Sequence, residues 1–338
     1  MDEGPRVPAG VLTPAVRRGR RPRRRFRPLF ALLAVVVAAA AGVVLFVRHS
    51  SAKPARAVAH VAVVPTTTHA RRRPPARAQA APLLAGPPVS DRVPRPRVAA
   101  RAAIVVEQAT GRVLWALHVH RRLPIASTTK IMTAFIALRQ LRSGDVVRVS
   151  PLVARVPLVK EGLRPRERVR AWKLFDGLLM YSGNDDALAL AVATAGTRRA
   201  FVADMNDQAR ELGLADTHFS SPSGVIDLDN YSSAWDLAAL TRVALRNPRF
   251  RRIVRTRIAH VPWSAPTYAK VYVNKNPLLG SYRGANGVKT GWTTLAGHCL
   301  VASATRDGRT IVAVVLHDAN ATADARRLLD LGFATAPS

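Results

Sequence analysis

Strand-forming and helix-forming segments follow one another in an order that restricts the possible folds of residues 98–338. Two apolar segments, 103–107 and 112–117, flank a turn at Gly111 and predict a β-hairpin. Further strand-forming segments come late, at 269–273, 287–291, 299–304 and 310–316. Helical periodicity marks 127–141, 171–181, 184–195, 197–212, 233–246 and 320–333. Strands at both ends with helices between predict an α/β fold of the α+β type: an antiparallel sheet flanked by helices, with a mostly helical subdomain.

The run 29–47 contains nineteen residues without a charge, nearly all Ala, Val, Leu or Phe. That is close to the roughly 20 apolar residues that cross a bilayer as a helix, so we predict one transmembrane helix. Nine arginines precede it, which by the positive-inside rule keeps a basic tail, 1–28, in the cytoplasm. The rest of the chain is then expected outside the plasma membrane.

Residues 49–97 are rich in Pro, Ala and Arg without a sustained apolar period, and we interpret them as a linker to the folded domain at 98–338. The net charge of the chain is +31, with 19 Lys and Arg against 3 acids in residues 1–97. Such a charge suits nucleic acid, an anionic membrane or an anionic wall polymer, or it is simply solvated surface. Because the predicted span already explains the arginine run beside it, we expect no nucleic-acid partner.

Ser127 and Lys130 stand three positions apart at the start of a predicted helix, so their side chains share a face. A serine hydroxyl needs a base to become a nucleophile, and a lysine amine serves only when it is neutral. A Ser at a helix start followed by a solvated Lys is the ordinary interpretation of such a pair. Lysine is scarce here, however, with seven Lys against 45 Arg. Since Arg cannot give up its proton in proteins, a Lys at position 130 suggests a requirement for a tunable base.

Two further motifs follow in the chain. Ser182 and Asn184 form an S-x-N at a break between helical segments, where helix capping is the alternative. Lys289, Thr290 and Gly291 form a K-T-G on a predicted strand, which offers a cation and a hydroxyl to a carboxylate and a close approach to a peptide backbone. Each motif is weak evidence when taken alone.

Together, in this order, the S-x-x-K, S-x-N and K-T-G motifs resemble the set found in penicillin-binding proteins and serine β-lactamases. Across 98–338 the chain is similar to the low-molecular-mass D-alanyl-D-alanine carboxypeptidases, with further likeness at 124–134, 182–187, 204–219 and 291–297. One departure is Trp292, which follows the K-T-G. Another is that no β-rich domain or terminal anchor follows the catalytic domain, and we expect the 29–47 span to anchor the chain instead.

The resemblance implies the roles of the first two motifs. Ser127 would attack the carbonyl between two D-alanines, and Lys130 would accept its proton. Ser182 would pass that proton to the departing D-alanine, and Asn184 would bind the peptide amide of the substrate. Water would then release the acyl group.

The resemblance also implies how the substrate is held. Lys289 and Thr290 would bind the terminal carboxylate, Gly291 would let the peptide approach, and Lys289 would depress the pKa of Lys130. The backbone N–H groups of Ser127 and Trp292 would form the oxyanion hole. The side chain of Trp292 could either narrow the site or pack outward. The implied partners are a peptidoglycan pentapeptide and β-lactam antibiotics as covalent inhibitors, in a bacterial plasma membrane.

Several alternatives stay open. A β-lactamase shares the chemistry, but neither Glu161 nor Glu167 stands in the E-x-x-L-N context of class A enzymes. An endopeptidase, a transpeptidase or a non-catalytic wall-binding protein could use the same fold, and the oligomeric state is not specified. The His118-x-His120 pair and the Asp227-x-Asp229 pair lack the partners of a metal site, so we expect no metal and no other cofactor. The single cysteine, Cys299, is expected to be buried packing.

Overall fold

The computed structural model describes residues 83–86, 96–225, 229–263 and 268–335. The predicted tail at 1–28, the predicted span at 29–47 and most of the predicted linker lie outside these ranges, as does Asp227. None of the helices that the structure describes is long and apolar enough to cross a membrane.

The described residues form eleven strands and seven α-helices. The strands are β1 Ala102–Glu107, β2 Val113–Leu117, β3 Leu123–Pro124, β4 Val146–Arg148, β5 Arg168–Arg170, β6 Tyr231–Ser232, β7 Ile258–Val261, β8 Lys270–Val273, β9 Ala285–Thr293, β10 Gly297–Arg306 and β11 Arg309–Asp318. The helices are α1 Lys130–Gln140, α2 Ala171–Asp176, α3 Asn184–Ala195, α4 Arg198–Glu211, α5 Ala234–Ala244, α6 Pro248–Arg255 and α7 Ala321–Ala334.

One five-stranded sheet joins the two ends of the domain. Its order is β2-β1-β11-β10-β9, and every neighbouring pair is antiparallel. The early strand β1 pairs with the last strand β11, with Ala103 opposite Val315. The prediction of an antiparallel sheet completed by distant segments is therefore confirmed. The strand that carries the K-T-G, β9, lies at the edge of this sheet.

Apolar side chains cover both faces of the sheet. Val105 and Val315 point to one face and pack with Leu328 and Leu329 of α7. Ile104 and Val314 point to the other face, into the larger core that the remaining helices share. Continuous burial along β1, β10 and β11 follows from this two-sided cover and explains their uninterrupted apolar sequences.

Helix α1 occupies the centre of the helical half. Residues Lys130–Leu138 of this helix are all buried, and it packs against α3, α4, α5 and α6. A helix enclosed on every side fixes the side chains at its start with little freedom of movement. The S-x-x-K motif thus stands at the start of a helix that is buried along nearly its whole length.

The structure adds elements that sequence periodicity did not predict. Helix α6 is hidden by four arginines in eight residues, yet its apolar residues Phe250, Ile253 and Val254 follow helical spacing and are buried. Strands β4, β5 and β7 have only three or four residues, too few for a clear alternation. Within the predicted linker, Leu84 is buried and Ala85 forms a bridge with Arg112 of the domain.

The packing of α7 on the sheet leads to a stability prediction. We expect Leu328→Ala to lower the free energy of unfolding by about 2 to 5 kcal/mol, because it removes a fully buried side chain and leaves a cavity. The same truncation at Leu152, whose side chain is 52% exposed, should cost about 0.5 kcal/mol or less. Denaturant unfolding of both variants measures the difference, and equal losses would contradict the packing described for α7.

Candidate active site

Ser127 lies in a tight turn that leads directly into α1. Residues Ala126–Thr129 form one turn of 3-10 helix, and Ala126 has a φ of 46°, in the left-handed region. The hydroxyl of Thr128 donates to the carbonyl of Ile125 at 2.6 Å and closes the turn. The Ser127 Oγ and the Lys130 Nζ are 2.9 Å apart, so the predicted pairing of these two side chains is present in the fold.

The buried amine of Lys130 contacts three oxygen atoms. Besides Ser127 Oγ, it donates to Asn184 Oδ1 at 2.8 Å and to the carbonyl of Ser223 at 3.0 Å. The amide of Asn184 is oriented by its Nδ2, which donates to the carbonyl of Pro157 at 3.3 Å. Amide and carbonyl oxygens can only accept, so Asn184 and Ser223 take two N–H bonds of Lys130. When the amine is neutral, its lone pair is then available to the Ser127 hydroxyl.

Burial and neighbouring cations favour that neutral form. Burial is the main reason that the pKa of Lys130 lies well below its ordinary value, and the charge of Lys289 lowers it further, with a smaller effect of Lys275. The carboxyl groups of Asp186 and Asp185 act in the opposite direction. Burial, with the charge of Lys275, also lowers the pKa of Lys289 to about 7. The site therefore provides an amine that can accept a proton near neutral pH.

The S-x-N motif occupies the junction of two helical segments. A π-type turn, Gly177–Tyr181, ends at Ser182, whose φ of 72° is left-handed, and α3 begins two residues later. Ser182 lines the same cleft as Ser127. Asn184 is fully buried, contacts Lys130 and does not line this cleft. The structure thus brings Asn184 to the base, and its predicted contact with the substrate amide stays a prediction.

The K-T-G motif runs past the Ser127 turn along β9. Lys289 is buried and donates to the carbonyl of Thr290 at 2.9 Å, while Thr290 and Gly291 line the cleft. A Cβ added to Gly291 would lie 2.9 Å from the carbonyl oxygen of Ile125 and 3.0 Å from the nitrogen of Ser127. Glycine is required here because the strand and the Ser127 turn touch at the backbone, a reason that the sequence did not reveal.

Trp292 stands at the rim of the cleft. Its side chain is 59% exposed, and its ring centre lies 6.2 Å from that of His298 on the neighbouring strand. Both residues line the cleft, which has a volume of about 550 Å³. The indole therefore borders the space that a substrate would fill. Cys299 beside them is buried, and burial raises the pKa of its thiol to about 11.

Two residues that contribute to the site were missed by the sequence analysis. Ser223 lies in a loop and presents its backbone carbonyl to Lys130. Thr133 of α1 fixes this loop, because the Thr133 Oγ1 donates to the carbonyl of Pro222 at 2.6 Å. Lys275 lines the cleft, and its Nζ lies 4.8 Å from the ring centre of Tyr181. A backbone carbonyl leaves no trace in sequence, but Lys275 could have been noticed as one of only seven lysines.

Neither His118 nor His120 lines the cleft. The His120 Nδ1 forms a surface hydrogen bond with Asp216 Oδ2 at 3.1 Å, and its ring packs against Trp235. Among the described residues, no group of three or more His, Cys, Asp or Glu side chains could hold a metal.

Fold and site together define a class of serine enzymes in which a buried lysine takes the position of the base beside the nucleophile. Residues 89–320 match the family described as D-alanyl-D-alanine carboxypeptidase. The chain belongs to this family, as its three motifs predicted.

Relatives of known function agree with this assignment. A D-alanyl-D-alanine carboxypeptidase of Streptomyces sp. strain K15 is 34% identical over 266 residues, which cover 72% of this chain and 90% of the relative. The D-alanyl-D-alanine carboxypeptidase DacF of Bacillus subtilis is 34% identical over 243 residues, which cover 69% of this chain and 62% of the relative. The crystal structure of a D-alanyl-D-alanine carboxypeptidase from Mycobacterium tuberculosis H37Rv superposes with a TM-score of 0.70 at 33% identity, covering 74% of this chain and 97% of that one.

The electrostatics of the site lead to a prediction for pH dependence. The charge of Lys275 lowers the pKa of Lys130, so Lys275→Gln should raise that pKa. If Lys130 accepts the proton as a neutral amine, the acid limb of the acylation rate against pH should then move to higher pH. Acylation by a chromogenic β-lactam measures the midpoint. The exposed Lys160 supplies the control, and Lys160→Gln should leave the midpoint in place; an unmoved midpoint in Lys275→Gln would contradict the role of this charge.

Proposed function

We propose that this chain is a serine D-alanyl-D-alanine carboxypeptidase that removes the terminal D-alanine from peptidoglycan stem peptides through an acyl-enzyme on Ser127. One observation carries the proposal. The Lys130 Nζ is enclosed by two acceptors, Asn184 Oδ1 and the carbonyl of Ser223, and by the Ser127 hydroxyl. This arrangement fits a general base. It does not fit the alternative, a Lys side chain exposed to solvent, because Lys130 is fully buried.

In the proposed reaction, Ser127 Oγ bonds to the carbonyl carbon of the penultimate D-alanine while its proton moves to Lys130. The backbone N–H groups of Ser127 and Trp292 stabilise the oxyanion of the tetrahedral intermediate. The peptide C–N bond breaks as Ser182 relays a proton from Lys130 to the leaving amine. Water then attacks the ester carbonyl and gives a proton to Lys130. Lys130 passes this proton to Ser127 Oγ as the ester C–O bond breaks, which frees the shortened peptide and restores both side chains.

The charge of the cleft supports a substrate that ends in a carboxylate. Lys275 and Thr290 line the cleft, Lys289 lies buried behind it, and none of the described residues that line it is acidic. We propose that Lys289 and Thr290 bind the terminal carboxylate, with Gly291 beside the peptide backbone. β9 is an edge strand, so an extended peptide can add along it. A β-lactam carries a carboxylate in the corresponding place and would acylate Ser127.

The positions of two glutamates disfavour a β-lactamase. The Glu167 side chain accepts from the Trp263 indole N–H at 2.5 Å, and the Glu161 side chain is buried beside Lys270. Neither glutamate lines the cleft, so neither is placed to activate a water molecule against an acyl group on Ser127. Slow release of a bound β-lactam is therefore expected.

We also propose a bacterial plasma-membrane location with the catalytic domain outside. The support is the sequence alone: a basic tail at 1–28, an uncharged apolar run at 29–47 and a Pro-rich linker at 49–97 before the domain at 98–338. Peptidoglycan stem peptides are crosslinked on the outer side of that membrane, so this arrangement would give the cleft access to its substrate.

Two measurements on one preparation test the activity. We expect the purified protein to release D-alanine from a synthetic pentapeptide and to form a covalent adduct with a fluorescent penicillin. Ser127→Ala should abolish the adduct and lower D-alanine release at least about a thousandfold, because no other group supplies the nucleophile. Cleavage of crosslinked dimers in preference to pentapeptide would indicate an endopeptidase, and absence of any adduct would favour a non-catalytic wall-binding protein.

The base is tested by exchanging one cation for another. We expect Lys130→Arg to lose acylation almost as completely as Ser127→Ala, since a guanidinium keeps its charge but cannot accept a proton. The same exchange at the exposed Lys160 should have no effect. Penicillin acylation rates for the variants provide the comparison, and near-normal turnover in Lys130→Arg would refute the assignment of the base.

A further inference from the structure

Two buried carboxyl groups meet behind the S-x-N motif. Asp186 lies in the first turn of α3 and is fully buried, and the Glu161 side chain, on the loop that precedes β5, is only 1% exposed. Asp185, the residue next to Asp186, accepts the backbone N–H of Glu161 at 2.9 Å, and the charge of Glu161 raises the pKa of Asp186. The proposed reaction uses neither Glu161 nor Asp186.

The surroundings of this pair cannot satisfy two ionised carboxylates. Among the described residues, no N–H or O–H group donates to any of the four oxygens of Glu161 and Asp186. The nearest cation is Lys270, whose Nζ is 3.4 Å from Glu161 Oε1 and donates to the Glu161 backbone carbonyl at 2.8 Å. A single proton shared between the carboxyl groups would turn two unpaired acceptors into one hydrogen bond.

The local contacts assign that proton to Asp186. Its carboxyl group packs against the backbone of Gly177 and Gly183, where an added Cβ would collide with it. Burial raises the pKa of Asp186 well above its ordinary value, and the charges of Glu161 and Asp185 raise it further. Burial raises the pKa of Glu161 as well, but a hydrogen bond from Asp186 and the charge of Lys270 oppose that rise.

The adjacent aspartate has the opposite environment. The carboxylate of Asp185 accepts three backbone N–H groups of the loop, from Glu161 at 2.9 Å, Gly162 at 2.8 Å and Leu163 at 3.0 Å, and a fourth from Asp186 at 3.2 Å. These donors occupy the acceptor positions of both oxygens. Asp185 and Asp186, neighbours in α3, therefore reach the same loop in different ways. Asp185 only accepts hydrogen bonds, whereas a protonated Asp186 would donate one to Glu161.

The loop of residues 157–163, which carries Glu161, and the S-x-N turn are directly connected. The backbone N–H of Asn184 donates to the carbonyl of Val159 at 2.9 Å, and Val159 lines the cleft together with Ser182. Any loosening between the loop and α3 would therefore reach Ser182 and Asn184.

Other charged groups of the described residues lie near Glu161 and Asp186. Lys173 and Asp176 of α2 lie within electrostatic reach of Glu161. Lys270 also packs over the ring of Trp263 at 4.3 Å, which holds it beside the pair. On the other side, a charge on Asp186 would raise the pKa of Lys130.

We propose that Asp186 is a positioning residue that keeps its proton at neutral pH, donates it to the Glu161 carboxylate, and so locks the 157–163 loop to the turn that carries Ser182 and Asn184. The protonated form also keeps a negative charge away from Lys130, which favours the neutral amine. The tests of this inference that measure penicillin acylation rest on the proposed function. The infrared test of the proton on Asp186 does not.

A matched set of variants tests the proposal. Asp186→Ala should slow penicillin acylation on the order of tenfold, because Glu161 is left unpaired. Asp186→Asn should restore the rate to within about threefold of wild type, because its amide N–H replaces the proton. The same exchange at the neighbouring position, Asp185→Asn, should not be tolerated in this way, since an amide cannot accept three N–H groups. Equal losses in Asp186→Asn and Asp185→Asn would overturn the proposal.

The pH profile gives a second activity test. In the folded protein the proton on Asp186 is bound more tightly than in the unfolded chain, so the locked arrangement is complete at low and neutral pH and is lost as pH rises through the raised pKa. Acylation by wild type should accordingly decline at alkaline pH, and Asp186→Asn should lack that decline. An identical alkaline limb in both proteins would contradict the proposal.

A spectroscopic measurement separates this inference from the proposed function. Infrared spectra of the wild-type protein at neutral pH should contain the carbonyl stretch of a protonated carboxyl group, and Asp186→Asn should lose it. A band that persists in Asp186→Asn, or is absent from wild type, would overturn the assignment of the proton. Failure of the protein to react with penicillin would instead count against the proposed function and leave this band in place.

Discussion

The burial of Lys130 is the constraint on which the rest of the site depends. An amine taken out of water loses its hydration, and the cost falls if it becomes neutral and finds partners for its N–H bonds. Here α1 supplies the amine and the turn that precedes it supplies the Ser127 hydroxyl. α3 supplies the Asn184 oxygen, and the loop before β6 supplies the carbonyl of Ser223. Because these partners come from distant parts of the chain, the environment that lowers the pKa of Lys130 exists only in the folded domain.

The sheet contributes by bringing a strand edge to the same point. β9 passes so close to the Ser127 turn that Gly291 has no room for a side chain. Its inward lysine, Lys289, then lies near enough to act on Lys130 through its charge. The edge position leaves the cleft side of the strand open. One short stretch of β9 thus packs against the Ser127 turn, lowers the pKa of Lys130 and borders the cleft.

Features that depend on neighbouring residues could be predicted from the sequence, whereas features that depend on distant parts of the chain could not. Ser127 and Lys130 were predictable because three residues of helix bring them together without help from the rest of the fold, and the scarcity of lysine made the pair noticeable. The sheet was predictable because its strands are long and apolar. Ser223 was not, since a backbone carbonyl has no sequence signature and the loop reaches α1 only in three dimensions. Helix α6 was concealed by arginines on its solvent side.

The pKa shifts at the site also affect the stability of the domain, with opposite signs. Lysines held neutral bind fewer protons in the folded state than in the unfolded chain, so Lys130 makes the fold more stable as pH rises through its lowered pKa. Lys289 does the same as pH rises above about 7. A carboxyl group held protonated binds more, so Asp186 makes the fold less stable as pH rises. At neutral pH the fold thus bears the cost of a neutral amine and also the cost of keeping a carboxyl group protonated that would be ionised in the unfolded chain. Both states reduce the charge around Ser127, which is the condition under which a lysine can serve as its base.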